Sequence, residues 1–313
     1  MTKVVDVAAA VLIRADGRVL LAQRPAAKVY GGYWEFPGGK LEPDEAPARA
    51  LARELHEELG VDIEDPTPWL TRAYTYPHAT VRLRFFRVRH WRGAPHGREG
   101  QAFSWEPAEA IGVAPMLPAN EPVLRALALP DEYAISNASD VGDEAFLAAL
   151  ERRLAAGLRL VQLREKAMPR DRLARLAERV VRLVGDAGGC VLVNGDAEIA
   201  RASRAHGLHL TAAQLVGITA RPPFSRVGAS VHTAAELRKA EALALDLAVL
   251  GPVHPTPTHP GVASFGWEGF ERIARDAAIP VFAIGGLAAT DLERAWQHGA
   301  HGIAMVRGAW KDR

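Results

Sequence analysis

Gly39-Lys-Leu-Glu-Pro-Asp-Glu45-Ala-Pro-Ala-Arg-Ala-Leu-Ala-Arg53-Glu54-Leu55-His56-Glu57-Glu58-Leu59-Gly60-Val61 decides the reading of the first part of this chain. Leu51, Leu55 and Leu59 recur at helical spacing and form one apolar stripe. Glu54, Glu57 and Glu58 lie at i, i+3 and i+4 and share a second face, about 100° round from the first by the helical period. One edge of the helix is therefore expected to dock on a core while the next presents carboxylates. Asp44 or Glu45 is expected to begin the helix, Pro47 is tolerated in its first turn, and Gly60 suits the C-terminal cap. Clustered carboxylates repel one another unless a hard cation sits among them, and such oxygen ligands suit Mg²⁺ or Mn²⁺ used with substrate phosphates. Arg53 stands one turn before Glu57, within ion-pair reach, and is placed to orient the carboxylates. An acidic run alone would read as a solvated face. That reading leaves Gly38, Gly39, Glu45, Arg53 and Gly60, all at fixed offsets, without explanation.

The length of 313 residues allows two cores, and a formal net charge of +1 gives no field suited to a nucleic acid polymer or a membrane surface. Cys190 lies in an apolar run and reads as a small core residue. The start has no signal-peptide pattern and no apolar run reaches spanning length, so a cytoplasmic setting is expected. Residues 1–129 read as one domain. Strands are expected at Val4 to Ile13, Val19 to Ala22, Thr71 to Tyr76 and Val81 to Trp91, and a further helix near Pro107 to Ile111. Residues 130–313 read as a second domain in which eight strands alternate with helices, from Tyr133 to Ser136 through Gly302 to Met305. Closure into a parallel barrel is the natural solution.

The opening stretch matches G-x5-E-x7-R-E-U-x-E-E-x-G-U, with U aliphatic, and so resembles the Nudix family without departure. The resemblance implies an α/β/α sandwich with a mixed sheet. It extends to the MutT branch, which acts on oxidised guanine nucleotides. Glu35-Phe-Pro-Gly-Gly-Lys40 matches the approach to the box, Glu99-Gly-Gln101 the loop that supplies a further carboxylate, and Pro118-Ala-Asn120-Glu-Pro-Val123 the segment that reads the base. The resemblance implies metal held by Glu54, Glu57, Glu58, Glu99 and the Gly38 carbonyl, with Glu54 or Glu99 as base and Arg53 supporting them. It implies substrate contact by Arg24, Glu35, Phe36, Pro37, Gly38 and Asn120. An arginine of the branch is replaced by Ala79. The expected reaction takes a nucleoside triphosphate, 8-oxo-dGTP for choice, to monophosphate and pyrophosphate. A thiamine-pathway diphosphate is the alternative substrate.

The second domain resembles thiamine phosphate synthase and its TenI-type tautomerase relatives, both TIM barrels. Gln162-Leu-Arg-Glu-Lys166, Val193-Asn194, Gly207-Leu-His-Leu210, Gly251 to Thr258 and Ala283-Ile-Gly-Gly286 match in order. The resemblance implies a thiamine-related phosphate held by Gln162, Arg164, Lys166, Asn194, His232, Thr256, Thr258, Gly285, Gly286 and Arg307. The departures fall on the synthase's magnesium carboxylates. Gly195 stands at one, with Asp196 a position late, and Thr211-Ala-Ala-Gln214 replaces the other. His259 replaces a lysine and Arg307 a serine. Ser230-Val-His232-Thr resembles the tautomerase's histidine motif. A tautomerase or a ligand-binding role therefore ranks ahead of an intact synthase.

Overall fold

The computed structural model describes residues 4–77, 79–98, 100–255 and 263–311. The chain forms two compact units, residues 1–129 and 130–313.

In the first unit the strands are β1 (Val4–Leu12), β2 (Val19–Gln23), β3 (Trp34–Glu35), β4 (Gly38–Lys40), β5 (Asp62–Glu64), β6 (Thr67–Thr75), β7 (Thr80–Val88), β8 (His90–Arg92) and β9 (Phe103–Glu106). Its helices are α1 (Pro47–Leu59) and α2 (Glu121–Leu127). The main sheet is mixed, in the order β4-β1-β7-β6, with β1 and β7 parallel and both outer pairs antiparallel. Side chains alternate across a strand, and β1 uses this to serve two cores. Ala8, Ala10 and Leu12 pack with Leu51, Leu55 and Leu59 of α1. Ala9 and Val11 face the other way, onto Phe36, Trp69, Phe85 and Val123. The small side chains in the middle of β1 let α1 come close. The sheet is thereby covered on both sides, an α/β/α sandwich.

Two local expectations differ from the structure. Helix α1 starts at Pro47, with Ala46 as N-cap and no side-chain cap, because Asp44 adopts a left-handed φ of 60° and Glu45 turns to Arg53. The stretch Pro107 to Ile111 is a turn, closed by Ala110 N to Pro107 O at 3.1 Å. The Glu106 carboxylate accepts from Gly112 N at 2.7 Å and holds that turn short of a helix.

The second unit is a closed barrel of parallel strands: β10 (Glu132–Ile135), β11 (Leu160–Leu163), β12 (Cys190–Asn194), β13 (Gly207–Leu210), β14 (Arg226–Val231), β15 (Leu247–Leu250), β16 (Val281–Ile284) and β17 (Gly302–Met305). Strand β17 pairs back onto β10. Alternate residues, such as Val161, Val191, Leu208, Ala229 and Ile303, face the surrounding helices. The intervening positions fill the interior, where Tyr133 packs at 5.6 Å from Phe282 and 5.8 Å from His209. Trp310 Nε1 donates to Ile135 O at 2.9 Å, and buried Arg153 joins Glu132 to Ala309 O, so the end of the chain is fastened to the first barrel strand.

A polar chain crosses the barrel interior. Gln162 bonds to Tyr133, whose hydroxyl lies 3.2 Å from His209 Nδ1, and His209 Nε2 lies 3.1 Å from Ser230 Oγ. Gly228 makes room for the imidazole, since a Cβ there would stand 2.9 Å from His209 Nδ1. Burial, with the Arg164 charge adding to it, pushes the His209 pKa down to about 3. The folded barrel therefore keeps His209 neutral where the unfolded chain protonates it. Stability from this group is complete above pH 6.5 and falls as pH drops from there toward 3. Between pH 7 and pH 5 it should cost about 2 kcal/mol. Denaturant titrations of the native chain and of His209→Gln at both pH values test this. An equal pH sensitivity in the two proteins would show that His209 is not the titrating group.

Candidate functional site

Arg53 organises the carboxylate face of α1. Its Nε and Nη2 donate to Glu45 at 3.1 and 3.0 Å, Nη1 to Glu54 Oε1 at 2.8 Å and to Glu57 Oε2 at 3.4 Å, and Nη2 also to Lys40 O at 3.2 Å. These bonds raise the guanidinium pKa and lower that of Glu45. Glu58 points to another cation, with Lys28 Nζ 3.8 Å from its Oε1. The face thus carries Glu54 and Glu58 half-sheltered and Glu57 open to solvent. Among the described residues no three His, Cys, Asp or Glu side chains converge on one point as a metal cluster. Glu54 and Glu57 are instead held by Arg53, and Glu58 lies beside Lys28. In chemistry the donor set, carboxylate oxygens on one helix face, fits a hard divalent cation.

Gly38 and Gly39 allow strand β4 to approach this face. Gly38 has φ 147°, and a Cβ on it would overlap the Ala8 carbonyl. A Cβ on Gly39 would overlap the Glu54 carboxylate. The C-terminal end of α1 leaves carbonyls that need donors. The loop from 94 to 101 supplies them: His96 N bonds Leu59 O, Arg98 N bonds Glu58 O, Arg98 Nη1 bonds His56 O and Gln101 Nε2 bonds Glu58 O, each at 3.0 Å. Glu99 belongs to that loop and lies outside the described residues.

The residues expected to contact substrate lie on β2, β3 and the segment before α2. Trp34 N donates to Pro115 O at 2.8 Å and Leu117 N to Trp34 O at 2.9 Å, so the segment leading to Asn120 runs beside β3. Asn120 is 3% exposed, and its Nδ2 has no hydrogen-bond partner among the described residues. Arg24 is paired with Glu35 at 2.6 and 2.7 Å and donates to Val29 O at 2.9 Å. Burial raises the Glu35 carboxyl against the pull of Arg24. Phe36 is buried, edge-on to Phe85 at 5.8 Å, and Pro37 O accepts from Ala10 N at 2.8 Å. The sequence reading missed Lys28 and a tyrosine cluster. Tyr76 packs on Tyr30 at 5.3 Å and Tyr74 at 4.5 Å, and Tyr30 on Tyr33 at 5.4 Å. Burial and the Glu35 charge push Tyr76 up to about 12, so it stays a neutral phenol. The spacing of Tyr74 and Tyr76 marks one strand face, but nothing local shows that Tyr30 joins them.

At the barrel, Gln162 is buried on β11, and half-buried Arg164 and exposed Lys166 follow in the connection after it. The Arg164 charge reaches both Lys166 and His209, and with burial it lowers the Lys166 pKa. Asn194 ends β12. His232 follows β14, and its Nδ1 donates to Gly251 O at 2.7 Å, which leaves Nε2 as an acceptor. Gly285 and Gly286 follow β16 with φ of 118° and 65°, and a Cβ on Gly285 would stand 2.8 Å from Pro252. Arg307 is exposed just after β17, next to Gly308, which packs on Leu287 O. Thr256, Thr258 and His259 lie outside the described residues.

Residues 8–126 match the family described as the NUDIX domain, and residues 132–309, more than half the chain, match thiamine monophosphate synthase. An 8-oxo-dGTP diphosphatase of Proteus vulgaris is 42% identical over 98 residues, 31% of this chain and 88% of that protein. A CTP pyrophosphohydrolase of Escherichia coli K12 is 40% identical over 125 residues, 40% of this chain and 91% of that protein. A thiamine-phosphate synthase of Thermosynechococcus vestitus is 34% identical over 164 residues, 51% of this chain and 47% of that protein.

Gly39→Ala should push the Glu54 carboxylate off Arg53 while leaving the fold intact, because only a side-chain tip must move. A displacement of that size should lower hydrolytic turnover by about 10²-fold, with the thermal midpoint nearly constant. Unaltered turnover would separate Glu54 from the reaction.

Proposed function

In a chain that belongs to both the Nudix and the thiamine monophosphate synthase families, we propose that the Nudix hydrolase domain removes oxidised purine nucleoside triphosphates, 8-oxo-dGTP above all. The observation that supports this most is the buried Asn120 amide with an unpartnered Nδ2. A buried amide without a partner is costly, and a base edge would satisfy it. The 8-oxo base carries an N–H at N7, where guanine has only an acceptor. An amide with Oδ1 toward N7–H and Nδ2 toward O6 matches the oxidised edge and meets a clash of acceptors on guanine. Phe36 and the tyrosine cluster give that edge an aromatic surround.

The phosphate chain then falls toward α1. Arg53 fixes Glu54, the candidate base for the attacking water, by donating to its Oε1. A divalent cation, Mg²⁺ or Mn²⁺, held by Glu57, Glu58 and the Gly38 carbonyl would neutralise phosphate charge when bound. Arg24 would lie against a phosphate once it leaves Glu35. The products are nucleoside monophosphate and pyrophosphate. The CTP pyrophosphohydrolase relative favours a second reading, in which the base is a pyrimidine. For the barrel we propose a thiamine-related phosphate as ligand at the mouth, with His232 Nε2 as a proton acceptor.

Asn120→Ala should reduce the preference for 8-oxo-dGTP over dGTP by about 1–3 kcal/mol, the range for leaving buried polar groups unpaired. Ratios of kcat/KM measured in competition among 8-oxo-dGTP, dGTP, CTP, ADP-ribose and thiamine diphosphate check it. A native preference for CTP would favour the pyrimidine reading, and an unchanged purine ratio in the variant would remove Asn120 from the pocket.

A further inference from the structure

The barrel's resemblance implies magnesium at its mouth, and the residues present do not fit it. Four acids that follow the strands are committed to backbone amides. Glu165 accepts from Ala138 N and Ser139 N, both at 2.8 Å. Asp196, the carboxylate that stands one position late, caps helix Ala197–Ala202 through Glu198 N and Ile199 N at 3.0 and 2.9 Å, and its Oδ2 accepts from Arg170 at 3.1 Å. Glu236 accepts from His232 N and Thr233 N, and Asp291 from Ala288 N. The other metal position is filled by an amide. Gln214 Oε1 accepts from Thr211 N at 3.0 Å while its Nε2 donates to Gly195 O at 2.7 Å. The two loops that would grip a cation from either side are thus tied directly to each other. Gly195 has φ 74°, a left-handed conformation that disfavours a longer side chain there.

The mouth nevertheless keeps its cations. Arg164 is half-buried, its side chain has no hydrogen bond to a described residue, and its charge acts on Lys166 and on neutral His209. The Glu165 charge also acts on Arg164, but its oxygens are taken by the Ala138 and Ser139 amides, so two neighbouring cations favour an added anion between them.

We propose that the barrel mouth takes the phosphate of its ligand directly on Arg164 and Lys166, without a divalent cation, and that the Gln214–Gly195 bridge stands where a metal site would be. This rests on the reading of the barrel as a phosphate-ligand domain. It follows that the domain binds a phosphate ester but does not form thiamine phosphate by displacing a diphosphate, since that more highly charged departing group would have the two side-chain cations but no divalent ion to stabilise it.

Calorimetry on the full chain tests this, in a Glu57→Gln, Glu58→Gln background that silences the hydrolase site. The probes are thiamine phosphate and inorganic pyrophosphate, each in excess EDTA and in millimolar MgCl₂. Binding in EDTA that Mg²⁺ leaves within about twofold, and that Arg164→Ala or Lys166→Ala weakens by about tenfold, is the expected result. Arg164→Lys should recover part of it, and circular dichroism confirms the fold of each variant. Binding of either probe that needs Mg²⁺, or tightens more than about tenfold with it, would overturn the proposal. So would failure of both probes to bind in EDTA. Pyrophosphate binding without thiamine phosphate binding would sink the thiamine reading and leave the metal-free mouth standing.

Discussion

A helix N-terminus leaves backbone N–H groups unpaired, and the acceptors found for them decide what nearby carboxylates are free to do. In the barrel, Glu165, Asp196, Glu236 and Asp291 all turn to such amides. In the first unit α1 begins at Pro47, which has no N–H to satisfy, after an N-cap that offers no side chain. Glu45 caps no helix amide and accepts instead from Glu42 N and Arg53, and Arg53 in turn holds Glu54 and Glu57. One constraint thus yields an acidic face in one unit and a cationic mouth in the other.

The acidic face is useful only because the sheet brings other strands to it. The left-handed path at Gly38 and the bare Cα of Gly39 let β4 lie against Glu54. The loop from 94 to 101 reaches the same helix by supplying donors to its last carbonyls. On the opposite side of β1 the core of Phe36, Trp69 and Phe85 sets the level of β3, and the pairing of Trp34 with Pro115 and Leu117 carries Asn120 into a buried position. Under the proposed function, phosphate chemistry and base selection would fall to the two faces of one mixed sheet.

Both units are suited to phosphates, by opposite electrostatics. The first gathers oxygen donors, which attract a cation that then attracts phosphate. The second presents Arg164 and Lys166 above a neutral polar chain of Gln162, Tyr133, His209 and Ser230. Low pKa at His209 keeps positive charge out of the interior, so the positive charge at the mouth comes from Arg164 and Lys166. Hydrolysis of an anhydride needs the first kind of site; retention of a phosphate ester needs only the second.

Period alone made several features legible. The stripe of Leu51, Leu55 and Leu59 and the carboxylates a third of a turn away follow from 3.6 residues per turn, and the barrel from strands and helices in strict alternation. The replacements at Gly195 and Gln214 could also be read directly from residue identity. What each side chain meets could not. The sequence placed Glu54, Glu57 and Glu58 on one face with Arg53 in reach of Glu57, and only tertiary packing brought Lys28 to Glu58. It allowed a helix at Pro107 to Ile111, which the Glu106 bond to Gly112 holds as a turn. It marked Gln214 as a missing carboxylate, and only the approach of two barrel loops made it a bridge to Gly195. Local periodicity is fixed by backbone geometry, whereas hydrogen-bond partners distant in sequence exist only once the cores have brought the strands together.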